Sequence, residues 1–275
     1  MSAILIGFSY KGTSNEIPGI YMDLYQMYRY CRLIGIRDIY VLTDLDTDEM
    51  TPAILKAICD DIVDVYIRTF LEDLQKTRYY HRYRPLQFLS QISDMVTQTS
   101  SNQLLLYYTG HGLASSDGCG CLKMPDSVVV ETKELRNLLL RKTQKNTQML
   151  WIFDCCNGSG LELPYLLESD ESSTLIRYRL NNLSLCPQQR IVIFAAARFH
   201  QDANASVLGS VFTSSLLRLL KRSTRSLHTI RQTCKSIITS SYPGPLYLES
   251  IWVPTKQLRI DYDDNNGCLI LERLN

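Results

Sequence analysis

Met149-Leu150-Trp151-Ile152-Phe153-Asp154-Cys155-Cys156-Asn157-Gly158-Ser159-Gly160 is the stretch that decides the fold of this chain. Its first five residues are an unbroken apolar run, the pattern of a strand covered on both faces of a sheet. An acid, two cysteines and a glycine-permitted turn follow directly. A second stretch repeats the plan: Leu104–Tyr108 reads as a strand, and Tyr107-Tyr108-Thr109-Gly110-His111-Gly112 carries it into a turn with a histidine between two glycines.

Outward from these two strands, apolar runs alternate with helical periodicity. Ala3–Phe8 and Ile39–Leu42 are strand-sized, and Ile191–Ala195 is a further strand. From Tyr21 to Ile34, Met22, Tyr25, Met27, Tyr30 and Leu33 recur at helical spacing, and Gly35 is placed to end the helix. Thr43–Asp48 leads through Pro52 into another helix, one more ends near Thr99, and Val211–Leu220 is the helix behind the strand at 191–195. The basic, aromatic stretch Lys76–Arg84 reads as a solvated loop. This alternation predicts an α/β fold with a mostly parallel central sheet and helices on both faces.

At 275 residues the chain is expected to form a single domain, 1–275. The stretch Leu167–Pro187, acidic and serine-rich and then basic, reads as a mobile linker. It divides a larger part, about 1–167, from a smaller part, about 189–275, with the linker at about 168–188.

Charge and composition exclude several classes of function. A net charge of +1 supplies no field to hold a nucleic acid or an anionic membrane. The longest apolar runs fall far short of the ~20 residues that span a bilayer. No basic region precedes the apolar run at Ile4, so the N-terminus reads as a first strand and not as an export signal. A cytoplasmic, reducing location follows as the expectation, and nine cysteines without repeated spacing are expected to be free thiols. Cys119-Gly120-Cys121 and Cys155-Cys156 lack the spacing of a structural zinc site. Neither glycine-rich nucleotide fingerprint follows a strand.

What remains is the pairing of a histidine and a thiol, each at the C-terminal end of a strand, where catalytic groups gather in open α/β sheets. If the two strands are neighbours, His111 can take the thiol proton of Cys156 and pass it to a leaving amine. The backbone N–H groups of Gly112 and Cys156 are then candidates to hold an oxyanion.

These motifs resemble the Tyr-Ser-Gly-His-Gly and Asp-x-Cys-x-x-Gly signatures of metacaspases, within the caspase-like clan CD cysteine peptidases. The likeness runs along most of the chain. Ala3–Gly7 with Ile17–Asp23 resembles the opening strand and Leu-x-Gly-x-x-x-Asp segment, and Ile39–Asp44 the second strand. Met124–Asp126 with Glu131–Leu138 resembles the segment between the catalytic motifs, and Gly209–Thr213 the start of the small-subunit helix.

The resemblance implies a caspase-hemoglobinase-like fold and a thiol protease, a cysteine-type endopeptidase hydrolase working through an acyl-enzyme. It makes Cys156, the third residue of Asp-x-Cys, the nucleophile and His111 its partner. Metacaspases cleave after Arg or Lys, and Asp23 and Asp154 match their acidic pocket positions. Substrates are then proteins or peptides with a basic residue before the scissile bond, and the expected state is a monomer.

No cofactor is required for this chemistry. Many metacaspases are activated by calcium, for which Asp117, Asp126, Glu131 and Glu162 are the available acids, with Glu131 and Glu162 the preferred pair. Arg177 and Arg179 in the linker, and Lys76 and Arg78, are candidate autoprocessing sites. With a first strand beginning at about residue 3, the chain is expected to have no prodomain. The turn after Cys156 departs from the family: Asn157-Gly158-Ser159-Gly160 stands where metacaspases have His-Ser-Gly. That departure supports an alternative, a catalytically weak or inactive pseudoenzyme that binds protein partners in the same cleft.

Overall fold

Ser2-Ala3-Ile4-Leu5-Ile6-Gly7 is buried along its whole length, as an apolar run covered on both sides of a sheet must be. The computed structural model describes residues 1–45, 69–70, 74, 79–115, 120–158, 165–169, 176–180, 189–197, 202–203, 205–206, 208–220, 247–252, 258–263 and 268–273.

In chain order the elements are β1 (Ser2–Gly7), α1 (Ile20–Leu33), β2 (Asp38–Thr43), β3 (Tyr80–Arg82), α2 (Phe88–Gln98), β4 (Gln103–Thr109), β5 (Gly112–Ala114), β6 (Gly120–Lys123), β7 (Val129–Glu131), α3 (Thr132–Lys142) and β8 (Gln148–Asp154). There follow β9 (Tyr165–Ser169), β10 (Ile176–Leu180), β11 (Arg190–Ala195), β12 (Ala205–Ser206), β13 (Gly209–Ser210), α4 (Val211–Leu220), β14 (Tyr247–Trp252), β15 (Leu258–Asp263) and β16 (Cys268–Arg273).

Among the described residues the central sheet has seven strands in the order β14-β11-β8-β4-β1-β2-β3. Six run parallel, and β14 is antiparallel to β11. One face carries α1 and α4, with Phe70 and Leu74 in the same apolar cluster. The other carries α2 and α3. This is the mostly parallel α/β architecture the sequence predicts, with helices on both faces.

The register sets the site. Gly7 pairs with Thr109, and Thr109 pairs with Asp154. The C-terminal ends of β1, β4 and β8 therefore lie level, and the residues that follow each strand emerge side by side.

Helix α1 ends as expected, with Gly35 in the left-handed region at φ 84°. Its buried apolar residues are Ile20, Tyr21, Leu24, Met27, Tyr30 and Cys31, so Met27 and Tyr30 face the core as expected, while Leu33 is 69% exposed. Asp23 is buried on the same helix.

The stretch Lys76–Arg84 differs from its reading as a solvated loop. Residues 80–82 form edge strand β3, Tyr79 Oη donates to Asp38 (3.0 Å), Tyr80 Oη donates to the Leu45 carbonyl (2.8 Å), and Tyr83 is buried. Its basic residues suggested solvent, but the aromatic side chains between them supply the apolar surface and hydroxyl anchors that hold an edge strand. Lys76 and Arg78 lie outside the described residues, as does the helix expected after Pro52. Part of the stretch expected as a linker pairs as an antiparallel hairpin, β9 with β10. Ile176, Tyr178 and Leu180 alternate there with Arg177 and Arg179, the period of a strand.

Candidate active site

His111 stands between β4 and β5, separated from the end of β4 by Gly110, and leads into the small antiparallel sheet β5-β6-β7. Its backbone is held on both sides: the N–H donates to Tyr10 Oη (2.9 Å), and the carbonyl accepts from Tyr108 Oη (2.9 Å) and from the Lys123 N–H (3.1 Å). The imidazole packs on the Tyr10 ring, with centroids 4.6 Å apart. Nε2 lies 2.7 Å from the Asn15 carbonyl oxygen. A carbonyl only accepts, so Nε2 carries the proton and Nδ1 is the acceptor nitrogen of the neutral ring.

Cys156 follows β8, the strand next to β4. The two motifs touch through backbone: a β-carbon on Gly112 would lie 1.7 Å from the Cys156 carbonyl oxygen and 3.0 Å from Cys155 Sγ. Only glycine permits that approach. Cys155 is 2% exposed, and burial pushes its thiol well up. Cys156 is half-buried, and its sulfur accepts the Ala203 N–H at 3.3 Å. Burial raises the Cys156 thiol too, and the Asp202 carboxylate beside it adds to the rise. The raised value favours the thiol form, so for this sulfur to serve as a nucleophile a base would have to take its proton. Asn157 turns the chain with φ 55°, a left-handed conformation that asparagine tolerates better than most residues.

A cavity of about 430 Å³ opens between these loops, lined by His111, Asp154, Cys156, Thr109, Ser210 and Ala203 among others. Asp154 is buried and accepts Thr213 Oγ1 at 2.5 Å. Asp23 sits behind the wall, fully buried, where its carboxylate accepts the Ser210 N–H (2.8 Å) and Thr109 Oγ1 (3.4 Å). Burial, and then the charge of Asp154, hold the Asp23 carboxyl well above the usual carboxylate range. Burial raises Asp154 to about 6 against the pull of Ser210 and Thr213. Two carboxyl groups buried together disfavour each other's ionisation.

His111, Gly112, Cys156, Asp154 and Asp23 thus gather at one sheet edge, while the described acids Glu131 and Asp126 make their contacts elsewhere. Glu131 is half-exposed and pairs with Lys133 at 2.7 Å. Asp126 accepts Tyr83 Oη (2.9 Å) and the Leu86 N–H (3.0 Å). Glu162 and Asp117 lie outside the described residues. Among the described residues no three acids, histidines or cysteines assemble as a metal site. Arg177 and Arg179 lie on strand β10.

Tyr10, Asn15, Asp44, Asp202 and Thr213 were not legible as site residues. Each contacts the site through a fold-dependent approach; only the position of Asp44 just past a strand end was a usable signal.

A family model described as the caspase domain matches residues 1–242. The crystal structure of protein GSU0716 from Geobacter sulfurreducens is similar in fold, with a TM-score of 0.55 and 14% sequence identity, over 93% of this chain and 94% of that one. No curated protein matches the sequence. No helix among the described residues is long and apolar enough to cross a membrane.

Proposed function

The chain belongs to the caspase-domain family of cysteine peptidases, and within it we propose a metacaspase-like endopeptidase that cleaves after Arg or Lys. The observation that supports this reading is one cavity lined by His111, Cys156 and Asp154, with the buried Asp23 carboxylate directly behind its wall.

A guanidinium or ammonium entering beside Asp154 replaces lost water with charge-assisted hydrogen bonds and draws both acids into their ionised form. Aspartate in that position would add a third negative charge. His111, with Nε2–H on the Asn15 carbonyl, takes the Cys156 proton at Nδ1. The thiolate attacks the scissile carbonyl, and the N–H groups of Gly112 and Cys156 receive the oxyanion. The imidazolium then protonates the leaving amine, and water attacks the acyl-enzyme with His111 again as base. Calcium is proposed only as an activator outside this chemistry.

The test is hydrolysis of fluorogenic peptides ending in Arg, Lys or Asp, with and without calcium, by wild type, Cys156→Ala and Asp23→Asn. Turnover after Arg and Lys is expected, abolished in Cys156→Ala. In Asp23→Asn, kcat/KM should fall roughly 10²–10³-fold, the cost of leaving a buried charge half-paired. A folded wild type without turnover sinks the reading and moves the function to partner binding in the same cleft.

A further inference from the structure

We propose that Tyr10 and Asp44 are positioning residues for His111, and that the loop after β1 they pin fixes both the backbone and the tautomer of the histidine. The proposal rests on His111 acting as the acid–base group.

Tyr10 is 2% exposed and stands in the left-handed region at φ 55°, a rare conformation for a bulky aromatic residue. The contact that holds it there comes from the end of β2. The Asp44 carboxylate accepts the N–H of Ser9 at 2.7 Å and that of Tyr10 at 2.8 Å. Two successive amides on one largely buried carboxylate make a rigid corner, because neither can turn without leaving a buried acceptor short of donors.

From that corner the Tyr10 side chain reaches the site. Its hydroxyl donates to the Lys123 carbonyl at 2.6 Å and accepts the His111 N–H at 2.9 Å. It thereby ties the loop after β1 to β6 and to the catalytic turn. The Tyr10 carbonyl works in the other direction: it accepts Thr13 Oγ1 at 2.7 Å and the Thr13 N–H at 3.1 Å. Thr13 Oγ1 in turn accepts the Asn15 N–H at 3.1 Å. Asn15 then presents its carbonyl to His111 Nε2 at 2.7 Å. One loop thus grips the histidine at two points, the main-chain N–H and the far ring nitrogen, and Asp44 anchors that loop.

The test variants are Tyr10→Phe, which keeps the ring and removes the hydroxyl, and Thr13→Val at an exposed position that leaves the core untouched. Two readouts are taken on each: kcat and KM on an Arg peptide, and ¹⁵N resonances of the His111 ring. For Tyr10→Phe the expectation is a kcat lowered roughly 10- to 100-fold, as for a sub-ångström to 1 Å misplacement, with KM within about twofold. The wild-type ring should show the Nε2–H tautomer, and both variants a mixture of tautomers. Asp44→Asn, which weakens the corner itself, should move the ring resonances in the same direction. Unchanged His111 resonances in Tyr10→Phe and Thr13→Val overturn the proposal, whatever happens to kcat. Wild type and His111→Ala report separately on the peptidase reading; the ring resonances decide the positioning role even if that reading fails.

Discussion

The α-carbon of Gly112 lies against the carbonyl of Cys156, close enough that a β-carbon there would sit 1.7 Å from the oxygen. Gly112→Ala must therefore push the histidine turn and the cysteine turn apart. Backbone against backbone leaves no flexible side chain to yield. The expected outcome is a folded protein with kcat/KM on an Arg peptide lowered about 100-fold or more, since a 1 Å displacement of reacting groups costs on that order. Peptide hydrolysis at wild-type rate by Gly112→Ala would show that the two turns separate without consequence.

The proposed binding of a cationic side chain beside Asp154 ties KM to pH. Asp154 is raised to about 6 by burial, and Asp23 higher than its ordinary range by burial and by Asp154. At pH 5, below the Asp154 value, Asp154 is largely protonated and offers a cation little compensation. As pH rises through about 6, the pocket gains negative charge, so KM for Arg peptides should fall between pH 5 and 8. KM measured across that range checks it, with Asp154→Asn expected to flatten the profile.

The same raised values act on stability with the opposite sign. A carboxyl whose folded pKa lies above its unfolded one favours the fold while protonated. That contribution is full below about pH 4 and is lost as pH rises through the folded value. Asp154 moves from 3.8 to about 6, which corresponds to roughly 3 kcal/mol lost by pH 8. Asp154→Asn, whose amide oxygen still accepts Thr213 Oγ1, should thus raise Tm at pH 8 and have little effect near pH 4. Thermal unfolding at the two pH values is the measurement; an equal shift at both contradicts the assigned origin.

The strands and both chemical motifs were legible because they are local. Five apolar residues before Asp154 can only be buried as a strand or helix, and the glycines around His111 mark a turn. The neighbourhood of β4 and β8 was not legible, since it depends on strand order across a sheet that closes over more than 150 residues. Asp23 shows the same division. Its helix was plain from periodicity, but its burial depends on Ser210, 187 positions away. Tyr10 and Asp44 were out of reach for a further reason: a left-handed tyrosine contradicts local preference, and only a tertiary contact holds it there.

Asp202 makes the final case. It is exposed, one residue from the Ala203 N–H that binds the Cys156 sulfur, and its carboxylate adds to the rise that burial imposes on the thiol. Removing that charge favours the thiolate, so Asp202→Ala should alkylate at Cys156 a few-fold faster with iodoacetamide at pH 7. The pH midpoint of alkylation should move down, in the direction expected for loss of a neighbouring anion. Asp202→Asn should reproduce the effect in part, because the amide keeps a hydrogen-bonding partner and removes only the charge. Alkylation that slows in both variants would mean that Asp202 activates the sulfur, and the carboxylate would then belong among the groups that accept its proton.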